Sequence, residues 1–221
     1  MDSRTVRHSV SEEAFAEKRR QMVLRQLRQR GIRDERTLAA MGEVRRDLFV
    51  PPTYRELSYA DQPLPISGGQ TISQPYTVAF MCEALQLTGH EKVLEVGTGS
   101  GYGAAVLSRL AREVHSVERV PELARESQTT LSQLGYENVH VHLANGSLGL
   151  PAEAPFNAII VTAAAEKLPP SYLDQLCEGG RILVPIGPHR GSQELCRFTR
   201  CQGQLRQERL GGFCFVPLVT A

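Results

Sequence analysis

The 221-residue chain has no excess of charge: 25 basic and 24 acidic side chains leave a formal net charge of +1. No global field then draws it to nucleic acid or to an anionic membrane, and neither partner is expected. It has no long hydrophobic run either. Ala158-Ile159-Ile160-Val161 and Ala163-Ala164-Ala165 are far too short to span a bilayer, which takes about 20 apolar residues. The first residues are polar and show no apolar core of a secretory signal. Five cysteines (Cys82, Cys177, Cys196, Cys201 and Cys214) are odd in number, irregularly spaced and contain no Cys-x-x-Cys pair. This argues for reduced thiols in a cytoplasmic protein. The six histidines show no metal-ligand spacing. His140 and His142 would share a strand face without an evident third ligand, so no metal is expected. Internal repeats and low-complexity tracts are absent too.

What is present is enough chain for one large domain, or one domain and an arm, around a sizeable core. Val93-Leu94-Glu95-Val96-Gly97-Thr98-Gly99-Ser100-Gly101-Tyr102 reads as a buried strand running into a glycine turn, and Ala104-Ala105-Val106-Leu107 follows as a helix. Glycines at every second position let the chain turn sharply and approach a ligand with no Cβ in the way. Strand, glycine turn and helix N-terminus form a nucleotide-class cofactor site. A dinucleotide fingerprint is Gly-x-Gly-x-x-Gly; this is Gly-x-Gly-x-Gly, with Glu95 two residues before the first glycine. That form resembles motif I of the class I S-adenosylmethionine (SAM) methyltransferases, which implies SAM as cofactor and S-adenosylhomocysteine as product. Val114-His115-Ser116-Val117-Glu118 reads as the next strand, and Glu118 follows the loop by about 20 residues, where a carboxylate can accept from both ribose hydroxyls. NAD and SAM sites share that position, so Glu118 supports the fold more than the choice of cofactor. The bland alternative is a tight glycine turn beside a solvated strand-end acid.

Around this motif the chain alternates. Strands are expected at 92–96, 113–118, 139–143, 156–161 and 181–185, and helices at 102–110, 121–134 and 170–177, a parallel sheet with right-handed crossovers. Segments 193–200 and 205–218 read as strands joined through Gln202-Gly203, a terminal hairpin. Upstream, residues 11–30 read as a helix capped by Ser11 and stopped by Gly31, with Phe15, Met22, Val23 and Leu27 on one face. Arg19, Arg20, Arg25 and Arg28 on the other face suit a solvated surface. A short helix starts at Asp34, carries Leu38 and Met41, and must end before Pro51-Pro52. Residues 53–73 are irregular, being rich in proline and glycine, and Pro75–Leu87 reads as a helix with proline in its first turn.

Gly69-Gln70-Thr71-Ile72-Ser73-Gln74-Pro75 is similar to the signature of the protein-L-isoaspartate O-methyltransferases. Further matches are Asp47-Leu48-Phe49-Val50-Pro51, Tyr59-Ala60-Asp61-Gln62-Pro63-Leu64-Pro65-Ile66, Ala158–Ala164, Gly179-Gly180-Arg181, Pro185-Ile186-Gly187 and Phe215-Val216-Pro217-Leu218. They run from about residue 20 to the C-terminus, leaving the first 15 or so residues outside. Three positions depart from the family pattern. Ser67-Gly68-Gly69 stands where Gly-x-Gly is usual, Asn145-Gly146 where Asp-Gly is usual, and Gly103 where glutamine is frequent. The resemblance implies a doubly wound, mostly parallel seven-stranded α/β sheet of the Rossmann-like class I methyltransferase type, with an N-terminal helical extension and a C-terminal antiparallel hairpin. Residues 1–90 would form the arm and active-site loop, packed on a SAM-binding core of residues 91–221, in one compact, monomeric protein.

The implied reaction is methyl transfer to the free α-carboxylate of L-isoaspartyl residues in damaged proteins or peptides, which starts their repair through a succinimide. A carboxylate with a pKa near about 3.5 is already ionised at neutral pH and needs no general base. Ser73 is the expected catalytic residue, aiming that carboxylate by a hydrogen bond; the competing reading is a plain cap on the helix after it. Gln70, Thr71, Ile72, Val161 and Thr162 are expected at the substrate. Thr71, Ser73, Glu95, Gly97, Thr98, Gly99, Ser100, Gly101, Glu118, Asn145 and Gly146 are expected at the cofactor, with the Asn145 oxygen accepting from the adenine amino group. Val161-Thr162-Ala163-Ala164 lacks the Pro-Pro-aromatic motif that base-methylating enzymes carry there, and it also suits a mere apolar strand end. A SAM-binding protein without transferase activity, a methyltransferase of small molecules or nucleic acid, and an NAD dehydrogenase are the competing readings.

Overall fold

The computed structural model describes residues 11–188 and 191–219; residues 1–10, most of the segment outside the resemblance, lie beyond it. Helix α1 (Glu12–Gln21) opens on Ser11, whose hydroxyl accepts from the Ala14 amide at 3.2 Å. The single helix expected over 11–30 is three pieces: α1, a wide π-helical turn over Met22–Leu27 and a 3-10 turn over Arg28–Arg30, stopped at Gly31 with φ 104°. The reason lies in Met22 and Leu27. Both are fully buried, yet an α-helix sets residues five apart about 140° around its axis. The wider turn brings them to one side. Three of the four arginines on the basic face have partners: Arg19 donates to the Gly42 carbonyl, Arg20 pairs with Glu17, and Arg28 pairs with Glu35, while Arg25 is exposed.

Asp34 caps α2 (Glu35–Glu43), accepting from the Thr37 amide at 3.0 Å, and Leu38 and Met41 face the core. Segment 53–73 holds 3-10 turns and a minimal antiparallel ladder, β1 (Leu64–Pro65) with β2 (Thr71–Ile72). Helix α3 (Pro75–Leu85) has proline at its start and ends at Gln86, earlier than expected, on a left-handed residue with φ 53°.

The remaining elements are β3 (Lys92–Val96), α4 (Tyr102–Ser108), β4 (Glu113–Glu118), α5 (Pro121–Gln133), β5 (Val139–Leu143), β6 (Phe156–Val161), α6 (Ser171–Asp174), β7 (Leu176–Ile186), β8 (Gln193–Cys201) and β9 (Gln204–Phe213). They build a seven-stranded sheet in the order β5-β4-β3-β6-β7-β8-β9, parallel from β5 to β7 and antiparallel through β8 and β9. Two apolar layers cover its faces. One contains Phe15, Leu38, Met81, Leu107 and Val114, and the other Leu94, Val117, Ile159, Tyr172 and Ile182.

Later boundaries also differ from expectation. The helix at 170–177 is a single turn, and β7 begins at Leu176 rather than at 181, with a register irregularity against β6 and a left-handed Gly179. β9 stops at Phe213 instead of reaching 218, because the tail leaves the sheet: Ala164 donates to the Val216 carbonyl and Leu218 to the Ala164 carbonyl, each at 2.7 Å. The chain leaves β3 toward β4 and β5 on one side and returns to β6 on the other. The crevice at the carboxyl ends of β3 and β6 is therefore the topological switch point, where such sheets bind ligands.

Candidate active site and cofactor cavity

A cavity of about 460 Å³ opens at that switch point. Its floor is the turn between β3 and α4. Gly97, Gly99 and Gly101 take φ of 101°, 53° and 88°, the left-handed region in which a side chain is strained. Gly97 is required twice over, since a Cβ there would stand 2.3 Å from the Thr162 hydroxyl oxygen. That hydroxyl lies at 2.8 Å from the Gly97 carbonyl and 3.0 Å from that of Val96, and so bolts the end of β6 to the glycine turn.

Two acids flank the turn. Glu95 is 1% exposed and accepts from the Ser116 hydroxyl at 2.5 Å, and Ser116 in turn meets Thr98 Oγ1 at 2.6 Å. Burial pushes the Glu95 carboxyl up to about 8, against the lowering by Ser116, and the Glu118 charge adds to the rise. Gly103 makes room for it: a Cβ there would lie 2.3 Å from Glu95 Oε1. The frequent glutamine of the family cannot occupy this position with Glu95 as placed. Glu118 is fixed at the end of β4 by backbone donors, Gly99 at 2.9 Å on Oε2, and Arg119 at 2.8 Å and Val120 at 2.9 Å on Oε1. Three bonds leave a carboxylate capacity for a further donor.

Over the cavity lies segment 63–74. The left-handed positions of its turn are Gly68 and Gly69, at φ 65° and 67°. Ser67 precedes them in ordinary backbone, so the departure at 67 costs no strain. Ser73 does not cap α3: the capping position is Gln74, which makes no side-chain capping bond, and the Ser73 hydroxyl makes no hydrogen bond with any described residue. Gln74 is tied instead to Asp61, donating to its carbonyl at 3.1 Å and its carboxylate at 2.8 Å.

Comparison with known proteins shows the family. The family model of protein-L-isoaspartate(D-aspartate) O-methyltransferases matches residues 18–221. The chain belongs to that family. A relative named protein-L-isoaspartate O-methyltransferase 2, from Pelobacter propionicus, is 54% identical over 202 residues, 90% of this chain and 89% of its own. One named protein-L-isoaspartate O-methyltransferase, from Methanoculleus marisnigri, is 49% identical over 201 residues, 91% of each chain. Among solved structures, a candidate enzyme of this name from Plasmodium falciparum in complex with S-adenosyl-L-homocysteine superposes with a TM-score of 0.80 at 27% identity, over 92% of this chain and 99% of its own.

For this methyltransferase, Gln70, Thr71, Ile72, Ser73, Glu95, Gly97, Thr98, Gly99, Ser100, Glu118, Gly146 and Thr162 all line one cavity. Gly101, Asn145 and Val161 are not on its wall. Gly101 begins α4 and faces Leu131 and Ser127 of α5. Val161 is fully buried in the second apolar layer. Asn145 Oδ1 accepts from the Ser147 amide at 3.1 Å and its hydroxyl at 2.9 Å, capping a 3-10 turn over Gly146–Leu148. Sequence reading missed two parts of the wall. Thr77, Val78, Met81 and Cys82 form the inner face of α3, a face its helical spacing could have shown. Phe213–Val219 close the cavity from the C-terminal side. Part of that tail was visible as the motif Phe215–Leu218, with nothing to say where it folds.

Proposed function

We propose that this chain transfers a methyl group from SAM to the α-carboxylate of L-isoaspartyl residues in proteins and peptides, starting their return to aspartyl through a succinimide. The observation that carries the reading is one cavity whose floor is a SAM-type glycine turn and whose rim is the Gln70–Ser73 segment of the isoaspartate family. The residues fit such a cofactor: the three left-handed glycines clear the floor, and Glu118 keeps capacity for ribose hydroxyls. When bound, SAM supplies an electrophilic methyl group on a cationic sulfur. No histidine lines the cavity among the described residues, and an ionised carboxylate needs none.

The work left to the protein is placement. Ser73, with its hydroxyl uncommitted, donates to the substrate carboxylate and aims one of its oxygens. Thr71 and the backbone amides of Gln70–Ser73 hold the peptide around it. A neutral hydroxyl leaves the nucleophile its basicity, which a paired lysine or arginine would reduce. Thr162 keeps β6 against the glycine turn, and Gly146, on the cavity wall, would stand against the bound cofactor. The five free cysteines suit a reducing, cytoplasmic compartment. No described helix is long and apolar enough to cross a membrane. The enzyme acts as a monomer on protein and peptide substrates. The near-neutral charge supports a protein rather than a nucleic-acid substrate.

Incubation with labelled SAM and an isoaspartyl peptide, beside its ordinary aspartyl twin, tests this. The label is expected in the isoaspartyl peptide as a base-labile ester. Equal labelling of both peptides, or a base-stable product, would overturn the proposal.

A further inference from the structure

The chain has three asparagines, Asn138, Asn145 and Asn157, and five aspartates, and among these Asn145 alone precedes a glycine. An Asn–Gly step is open to succinimide closure because glycine puts no side chain in the path of its own amide nitrogen. The Gly146 nitrogen bonds to Cγ of Asn145, the Cγ–Nδ2 bond breaks, and ammonia leaves with the proton given up by the Gly146 amide. Water then opens the ring on one side or the other, giving aspartate or isoaspartate. Here that step would fall in the turn that brings Gly146 to the cavity wall. Evading the hazard by substitution at 146 is blocked, since a Cβ on Gly146 would stand 2.4 Å from Cγ1 of Val96.

The backbone around this step is held in an unreactive shape. Closure needs the Gly146 nitrogen and the Asn145 Cβ on the same side of the Asn145 Cα–C bond. At the observed ψ of 104° they stand on opposite sides. Reaching the reactive shape means rotating the peptide group between them. That rotation is opposed first by the two Ser147 donors on Asn145 Oδ1. It is opposed again by α6 and the residue after it, which grip three successive carbonyls. Tyr172 donates to Gly146 O at 2.9 Å, Ser171 to Ser147 O at 3.0 Å, and Gln175 to Leu148 O at 2.8 Å. Gln175 also accepts from the Leu150 amide at 2.7 Å, so its amide group spans the turn.

We propose that the Ser147 cap and the Ser171–Tyr172–Gln175 grip guard the chain's one Asn–Gly step against deamidation. The reaction then proceeds through local opening of the turn, at the intrinsic rate of an Asn–Gly peptide multiplied by the open fraction. The test is a time course at mildly alkaline pH, with deamidation at Asn145 read by peptide-mapping mass spectrometry. It compares the native protein, the same chain unfolded in urea, and the variants Ser147→Ala, Tyr172→Phe and, as a distant core control, Leu38→Ala. Native protein is expected to deamidate at least about tenfold more slowly than the unfolded chain. Ser147→Ala and Tyr172→Phe are each expected to speed the native reaction about three- to tenfold, the effect of one or two lost neutral hydrogen bonds on an opening equilibrium. Leu38→Ala should raise it less than Tyr172→Phe does. Tyr172→Phe keeps the side-chain volume and carries the test if Ser147→Ala fails to fold. Equal rates in native and unfolded chains would overturn the proposal. So would a Tyr172→Phe rate no faster than wild type, or no faster than Leu38→Ala.

Discussion

The Ser73 hydroxyl makes no bond with a described residue, while its neighbour Gln74 is tied twice to Asp61. The fixed neighbour holds the segment and leaves the hydroxyl uncommitted on the cavity wall, as the proposed role requires. Ser73→Ala is therefore expected to lower kcat by about tenfold, near the upper value of one neutral hydrogen bond, with a smaller change in KM because aiming counts most in the transition state. Steady-state kinetics on an isoaspartyl peptide check this; a change confined to KM would assign Ser73 to uniform substrate binding. Glu95 gives a pH signature of its own. Its folded-state carboxyl is raised from 4.5 to about 8, so between those values the folded protein holds a proton that the unfolded chain has released. That contribution to stability is full below the lower value and is lost as pH rises through the upper one. Chemical denaturation of the ligand-free protein should show stability falling over this window, and Glu95→Gln should flatten the slope. An identical slope in the variant would count against a protonated Glu95.

At the scale of elements, β4 and β5 carry a dependence of opposite sign. His115 Nδ1 lies 3.1 Å from His142 Nε2, and burial lowers both imidazoles from 6.5. Folding thus favours their neutral forms. The stability they contribute is present above 6.5 and is lost as pH falls through their lowered values, so a histidine double variant should resist mild acid better than wild type in the same denaturation experiment. The C-terminal tail supports a different prediction. It walls the cavity but belongs to no strand of the large sheet. Ending the chain after Phe213 should leave the far-ultraviolet circular dichroism nearly unchanged and weaken SAM binding by about tenfold or more, the loss of at least one buried apolar contact such as Leu218. Unchanged affinity by calorimetry would remove the tail from the site. These elements also show what sequence can and cannot disclose. The β3–glycine–α4 unit was legible residue by residue, because its signals are local: an apolar run, glycines where the backbone turns left-handed, and an acid at each strand end. The π-helical turn at Met22–Leu27 was not, since the need for it comes from where the rest of the core lies. The end of β9 was missed for the same reason: residues 214–218 have strand-like composition, and their partner is Ala164, some fifty residues back. Glu95 and Gly103 were each visible alone; that one makes room for the other is a fact of three dimensions.

On the scale of the whole molecule, the cavity draws its wall from Pro63, α3, the ends of β3 and β4, Gly146, Thr162 and the tail as far as Val219. A ligand bound there favours the folded state over the unfolded one by about 2.7 kcal/mol at a hundredfold excess over Kd. S-adenosylhomocysteine should accordingly raise the melting temperature in a concentration-dependent way, and NAD should not. The distribution of that wall along the chain has a consequence for a newly made copy. Strands β7, β8 and β9 are neighbours in sequence and can pair as they emerge, whereas β3 must wait for β6, some sixty residues downstream, and the tail comes last. Local pairings form early and distant ones late. The binding site is thus completed late, once β6 and then the tail have taken their places, so a partly folded copy holds the cofactor less tightly than the finished one.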